Sequence, residues 1–310
     1  MIVFVDAAWS GEIANRLRGV GRNSASRLIV LSYEPRRERL DARVTIVASD
    51  GPDPGELALL RELVVVQIGD RHLDDLLTIT DPLVVTDLPT LLWSPHGHRE
   101  IVDTLLELAQ SVLVDSVDEP VWRDAIERAC SLTKRAYVVD LAWLRSTPWR
   151  ERIAAIFDPA SRRSELDAIS SVAVRHHPDS TVASMLLVGW LGSRLQWQLS
   201  PLVVHDGALA GQAHAGRREV ALLLQAAPDQ QVRGLEGLSL QTADGRRLGL
   251  DRGPGGLRAS ARDGEGVERS WTMLGASRGE AGILGEGIRQ SLLRDPTYAA
   301  ALGKAQAMVS

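Results

Sequence analysis

The sequence predicts an α/β protein, with an open, mostly parallel α/β domain over residues 1–138. An α+β domain containing an antiparallel meander is expected over residues 139–310. Three observations carry this. In the first half, short Val/Ile-rich runs alternate with helix-like segments, as strands covered on both faces do. From Glu219 onward, apolar and polar residues alternate in short runs, the pattern of a sheet with one wet face. Asp244-Gly245 and Asp263-Gly264 fall between those runs, where Asp-Gly suits a tight hairpin. A length of 310 residues is compatible with two domains.

Taken in order, Ile2–Val5 reads as a strand and Glu12–Leu17 as a helix. Arg27–Leu31, Val44–Ala48 and Leu63–Ile68 read as strands, and Leu91–Trp93 as a short one between Pro89 and Pro95. His98–Ala109 is amphipathic: Ile101, Val102, Leu105, Leu106 and Ala109 share a face opposite Glu100, Asp103 and Glu107. Ser111–Val114 is strand-like, and Pro120–Leu132 helical with Asp118 as its cap. Near Ala136–Trp143 the pattern changes. Thr147 can cap a helix that has Pro148 in its first turn and runs to about Phe157. A second helix is expected over Val182–Trp197. After the meander, helices over Glu280–Leu293 and Pro296–Ala305 close the chain.

Composition excludes several functions. Hydrophobic residues are 45% and charged residues 24%, ordinary for a globular chain. The net charge of -5 supplies no broad basic face, so nucleic acid is not an expected partner. No apolar run approaches membrane-spanning length, and the N-terminus has no basic leader followed by an apolar stretch; a soluble, cytoplasmic protein is expected. Cys130 is the one cysteine, which rules out an internal disulfide and any multi-cysteine metal site. Lys134 and Lys304 are the only lysines.

The chemical motifs fail one by one. Gly303-Lys304 is followed by Ala305, not by the Ser or Thr of a phosphate loop. Gly19-Val-Gly21 follows a helix, and Gly285-Glu-Gly287 lies within one, so neither is a dinucleotide fingerprint. Gly275-Ala-Ser277-Arg-Gly279 matches a nucleophile elbow, yet the last histidine, His214, precedes it. Ser277 and Glu280 instead form a Ser-x-x-Glu capping box. His96/His98 and His176/His177 lack further ligands at metal spacing, so no metal and no cofactor is expected.

Tryptophan stands out: eight, against two Phe and three Tyr. Asp140-Leu-Ala-Trp143-Leu-Arg145-Ser-Thr147-Pro-Trp149-Arg150 concentrates Trp and Arg at a helix start. Trp190, Arg194 and Trp197 follow at i, i+4 and i+7. Trp and Arg dominate interface hot spots, and they equally fill junctions with guanidinium groups stacked on rings. Composition leaves both readings open.

The Asp140–Arg150 motif resembles that of the glucose-6-phosphate dehydrogenase assembly proteins, the OpcA family. Asp87-Leu-Pro89-Thr-Leu-Leu-Trp93-Ser-Pro95 is similar to the family's Asp-Leu-Pro strand ending in Trp-Trp-Pro, with Ser94 in place of the second Trp. Gly189-Trp190-Leu-Gly-Ser193-Arg194 and Gly287–Tyr298 follow in the family's order, as does Ser24–Leu31 earlier in the chain. The resemblance implies a non-catalytic partner that binds glucose-6-phosphate dehydrogenase and promotes its assembly or active conformation. It places Trp143, Trp149, Trp190 and Trp93 in or beneath the docking surface, with Arg145, Arg150 and Arg194 supplying charged bonds. The alternative is a small-molecule-binding or enzymatic α/β protein using the loop after Leu91–Trp93, Ser94–His98, because ligands of open α/β sheets bind at strand carboxyl ends.

Overall fold

A computed structural model describes residues 1–17, 26–48, 60–274 and 279–309. The chain divides into two compact units that are discontinuous in sequence. One comprises Met1–Asp115, Leu132–Leu141 and Gly279–Arg294, and the other Ser116–Ser131, Ala142–Arg278 and Asp295–Ser310.

The strands and helices run in the order β1 (Ile2–Asp6), α1 (Ser10–Leu17), β2 (Ser26–Tyr33), β3 (Asp41–Ala48), β4 (Leu60–Ile68), α2 (Leu76–Thr80) and β5 (Leu91–Trp93). Next come α3 (Arg99–Leu105), β6 (Ser111–Val114), α4 (Trp122–Thr133), β7 (Tyr137–Asp140), α5 (Leu141–Arg145), α6 (Thr147–Phe157) and α7 (Ala160–Asp167). They are followed by β8 (Ile169–His176), α8 (Thr181–Arg194), β9 (Gln198–Leu199), β10 (Val203–His205), β11 (Ala208–Ala215), β12 (Arg218–Ala226) and β13 (Leu235–Thr242). The chain ends with β14 (Arg247–Gly253), β15 (Gly256–Arg262), β16 (Glu268–Leu274), α9 (Gly279–Leu293) and α10 (Thr297–Gln306).

Among the described residues, the first unit carries a seven-stranded sheet ordered β3-β4-β2-β1-β5-β6-β7. All pairs are parallel except β3–β4. The expected open, mostly parallel α/β sheet is therefore present. Its six parallel strands reverse direction of travel between β1 and β5, the doubly wound arrangement with a switch point at that crevice. β1 sits centrally because Ile2, Val3, Phe4 and Val5 are buried on both faces. The edge strand β3 leaves Val44 and Ile46 exposed. α9 packs against β6, β7 and α1.

Among the described residues, the second unit carries a nine-stranded sheet with main order β10-β11-β12-β8-β13-β14-β15-β16, and β9 pairs β11 off that path. Asp244-Gly245 and Asp263-Gly264 do lie in the hairpin turns joining β13–β14 and β15–β16. The meander is not continuous, however. β8, absent from the sequence expectation, inserts between β12 and β13, parallel to the first and antiparallel to the second. Its alternation of Val172, Val174 and His176 fails at Ile169, where the β8–β13 pairing shifts register, and that shift hid the strand. β11 was also missed, being rich in Ala and Gly.

α8 is buried almost all round, from Val182 to Gly189 and at Leu191 and Gly192, since β8 and β12 lie against it as well as α10. It ends at Arg194 rather than at Trp197. Gln196 takes a left-handed conformation (φ 56°), and the Trp197 N–H returns 2.9 Å to the Gly192 carbonyl, a Schellman closure. Two expected caps differ too. Ser146, not Thr147, precedes α6, and its hydroxyl donates to the Trp143 carbonyl at 2.7 Å. Asp118 lies in a short 3-10 turn and pairs with Arg233 at 2.8 Å. Gly19-Val-Gly21 and the Ser277 cap lie outside the described residues. Among the described residues, no helix is long and apolar enough to cross a membrane.

His176 gives this unit a pH dependence. Its ring is buried at the end of β8, 3% exposed, with Nδ1 2.8 Å from the His177 carbonyl. Burial lowers its pKa below the ordinary 6.5, and the neighbouring His177 acts in the same direction, against that backbone hydrogen bond. The unfolded chain then takes up the proton first. The contribution is intact above about pH 6.5 and is lost as pH falls below it. Urea midpoints followed from pH 7.5 to 5 are expected to fall more steeply for the natural chain than for His176→Gln. Parallel profiles would remove His176 from this role.

Candidate functional site

The Asp140–Arg150 motif folds as two short helices at a sharp corner. At Ser146 the chain turns from α5 into α6, with Pro148 in the first turn of α6, where its missing N–H breaks no bond. The corner brings Arg150 back over Trp143, its guanidinium carbon 3.4 Å from the ring centroid. Arg150 Nε donates to Ser146 Oγ at 3.2 Å, and Nη2 to Thr147 Oγ1 at 2.9 Å and the Trp143 carbonyl at 3.2 Å. Trp143 is 2% exposed. Its indole N–H donates to Asp295 Oδ2 at 3.1 Å, and its ring meets Tyr298 edge-on at 5.7 Å. Asp295 Oδ1 also accepts from the Thr297 N–H at 2.8 Å and hydroxyl at 2.6 Å, tying the start of α10 to the corner.

Burial pushes the Arg150 guanidinium down to about 10, opposed by the charge of Asp295, so it stays charged at neutral pH. For Asp295 burial opposes ionisation. Hydrogen bonds from Thr297 and Trp143, together with Arg150, outweigh it and hold the carboxyl below the usual range. A cation over a buried indole contributes about 1–2 kcal/mol. The network is turned inward: it locks a corner and offers little surface to a ligand.

Sequence reasoning singled out Trp143 and Arg150, and the structure joins them. It placed Asp295 and Tyr298 in a motif without giving them this role. Asp295-Pro-Thr297 has the form of a helix-start signature and was the available clue. Trp149 and Trp93 are also buried, at 2% and 3% exposure. Arg145 ends α5, half-buried. Trp190, half-buried, and Arg194, exposed, share a face one turn apart near the end of α8. Trp197 does not share it. It is buried beyond the helix end, and its carbonyl accepts from Lys304 Nζ at 2.6 Å.

In the first unit, the loop after β5 closes onto β1. His96, Gly97 and His98 are all left-handed (φ 67°, 113° and 62°). His98 Nε2 lies 3.1 Å from Asp6 Oδ1, and its ring meets Phe4 at 4.8 Å and Tyr33 at 6.0 Å. His96 lies against Trp9 at 5.3 Å. The two histidines thus serve different partners, and among the described residues no group of three His, Cys, Asp or Glu could hold a metal. This crevice is where doubly wound folds take dinucleotides. The turn after β1 reads Asp6-Ala-Ala-Trp9-Ser-Gly11, without the glycines that let backbone approach a pyrophosphate, and it adds a carboxylate at the strand end. A dinucleotide does not fit it.

The chain shares its fold with proteins of known structure. It aligns over 99% of its length with 94% of yvaA from Bacillus subtilis, named as an oxidoreductase, at TM-score 0.53 and 11% identity. A super-repressor mutant of Gal80p from Saccharomyces cerevisiae aligns over the same shares at TM-score 0.51 and 11% identity. At such identities the fold alone is shared, and a fold does not assign chemistry.

Sequence comparison is more specific. A family model described as the C-terminal domain of a glucose-6-phosphate dehydrogenase subunit matches residues 136–302, and its N-terminal counterpart matches 18–131. The chain belongs to this family, OpcA. A relative in Synechocystis sp., named as an OxPP cycle protein OpcA, is 31% identical over 119 residues, 37% of this chain and 25% of its own length. One of the same name in Nostoc punctiforme is 29% identical over 120 residues, again 37% of this chain and 26% of its own. The matches span about a quarter of the length of these relatives.

Proposed function

We propose that this protein is a non-catalytic, cytoplasmic partner of glucose-6-phosphate dehydrogenase. It binds the enzyme and promotes its oligomeric assembly or active conformation, supporting NADPH production in the oxidative pentose phosphate pathway. The observation that carries this reading is the match of both family domains along the chain. The turn after β1, which does not fit a dinucleotide, agrees with it.

The mechanism is a population shift. A partner that binds the active form more tightly favours that form, by no more than the difference in its two affinities. The docking contacts are assigned to Arg194, Trp190 and Arg145, near the ends of α8 and α5. Trp143 and Trp149 support the surface from beneath, and Arg150 holds Trp143. The loop Ser94–His98 is not favoured as a rival ligand site, because its histidines are engaged by Asp6 and Trp9.

The test is the steady-state rate of the same host's dehydrogenase with and without this protein, read together with light scattering. A stoichiometric rise in kcat or fall in KM with a co-migrating complex is expected. Trp190→Ala with Arg194→Ala is expected to weaken the complex by about tenfold or more, as a hot spot would. An unchanged rate and no complex would remove the reading. Undiminished binding by the folded double variant would remove only the surface.

A further inference from the structure

Among the described residues the sheet edges are guarded, with one exception. An unpaired edge strand offers its backbone N–H and C=O groups to any other chain, and short length, cover or charge normally blocks it. β7, at one edge of the first sheet, is four residues long, with Val138, Val139 and Asp140 buried and α9 packed against it. In the second unit β10 is three residues long, and β16 carries Glu268 and Arg269. β3 has no such protection beyond its first three residues. It is eight residues long and pairs, among the described residues, with β4 alone. Residues 41–46 are exposed on both faces, and from Val44 to Ala48 the strand reads Val-Thr-Ile-Val-Ala, without charge, proline or glycine.

Val44 and Ile46 are 61% and 62% exposed. Across the β3–β4 ladder Ala42 stands opposite Val66, Val44 opposite Val64 and Ile46 opposite Glu62, so the three share one face. Val64 and Val66 are buried on that face. The cover over the sheet therefore stops at β4 and leaves an apolar strip beyond it. β-branched residues stabilise a strand chiefly against cross-strand neighbours. On its outer side, among the described residues, β3 has none.

We infer that β3 pairs antiparallel with β3 of a second copy of this chain, joining the two parallel-rich sheets edge to edge across a two-fold axis. The strand's own sequence fits this partner. About an axis through Thr45, Val44 stands opposite Ile46 of the second copy, and Ile46 opposite its Val44. Two β-branched pairs then form on one face, and Thr45 meets its own counterpart on the other, both favourable cross-strand combinations. The same register separates the two Arg43 positions by four residues, about 13 Å, more than the screening length at physiological salt. An axis through Arg43 would instead set the two cations directly opposite, which repels. Both copies use the same edge, so the assembly closes at two, and the short, buried β7 at the far edge does not extend it. A single strand pair is smaller than the roughly 1,000 Å² of a stable interface, so the dimer is a micromolar one. The assignment does not depend on the dehydrogenase.

Sedimentation velocity of the full chain, from low micromolar to several hundred micromolar, tests this. A reversible monomer–dimer transition with a micromolar midpoint is expected. Val44→Lys with Ile46→Lys should raise the dissociation constant by about tenfold or more, because it sets lysine opposite lysine. Both positions are exposed, and a circular-dichroism melt checks folding; Val44→Lys alone serves if the pair misfolds. Val203→Lys with Val204→Lys, exposed on β10, should leave the transition unchanged. Under mild oxidation Thr45→Cys, at the axis, should give a disulfide-linked dimer, and Ile46→Cys, which stands opposite Val44, far less of one. A monomer at every concentration, a dimer undiminished by the lysine variants, or equal loss in the β10 control would overturn the interface. Equal cross-linking of the two cysteine variants would overturn the register.

Discussion

Trp143→Ala is expected to cost about 3–5 kcal/mol of unfolding free energy, the range for emptying a buried aromatic site. The residue is 2% exposed, and three partners depend on it. Arg150 loses the ring beneath its guanidinium, Tyr298 loses an edge contact and Asp295 loses the indole donor. Trp143→Phe separates these effects. The ring remains for Arg150 and Tyr298, while the N–H is lost. Asp295 keeps Thr297, so the expected loss is about 1–2 kcal/mol. Urea denaturation of the three proteins checks the order. If Ala and Phe are equally mild, the corner does not organise the second unit.

Gly189→Ala reverses the usual helical preference. In an exposed helix interior, alanine is favoured over glycine by about 1 kcal/mol. Here a Cβ would stand 2.3 Å from the Ala301 carbonyl oxygen and 3.1 Å from the Ala305 nitrogen, both backbone atoms of α10. One helix must then move, and overpacking of this kind costs about 2–3 kcal/mol. Gly303 in α10 is the control, since nothing lies within 4 Å of its added Cβ. Gly303→Ala is expected to stabilise by about 0.5–1 kcal/mol. Changes of opposite sign in melting temperature would confirm the close approach of α8 and α10. A stabilising Gly189→Ala would refute it.

The glycine contrast marks the limit of reading by pattern. Gly189 and Gly303 are both helical, and no local property says that one touches a neighbouring backbone. Trp197 shows the same limit at shorter range. Its i, i+7 spacing from Trp190 is helical, yet Gln196 turns left-handed and takes Trp197 off the helix. The Trp/Arg concentration in 140–150 was visible as composition. That Trp143 turns inward became visible only with Asp295, 152 residues away.

What the sequence alone determined is local: the buried run of β1, the amphipathic face of α3, the Asp-Gly hairpins, the closing helices and the family's motif order. Each depends on residues close along the chain, where backbone preference and apolar spacing act directly. The tertiary structure alone decided the strand order, the insertion of β8 between β12 and β13, and the attachment of α9 to the parallel sheet. It also decided which tryptophans are buried. Those outcomes depend on pairing between distant segments, selected by register and mutual burial, and no local window contains both partners.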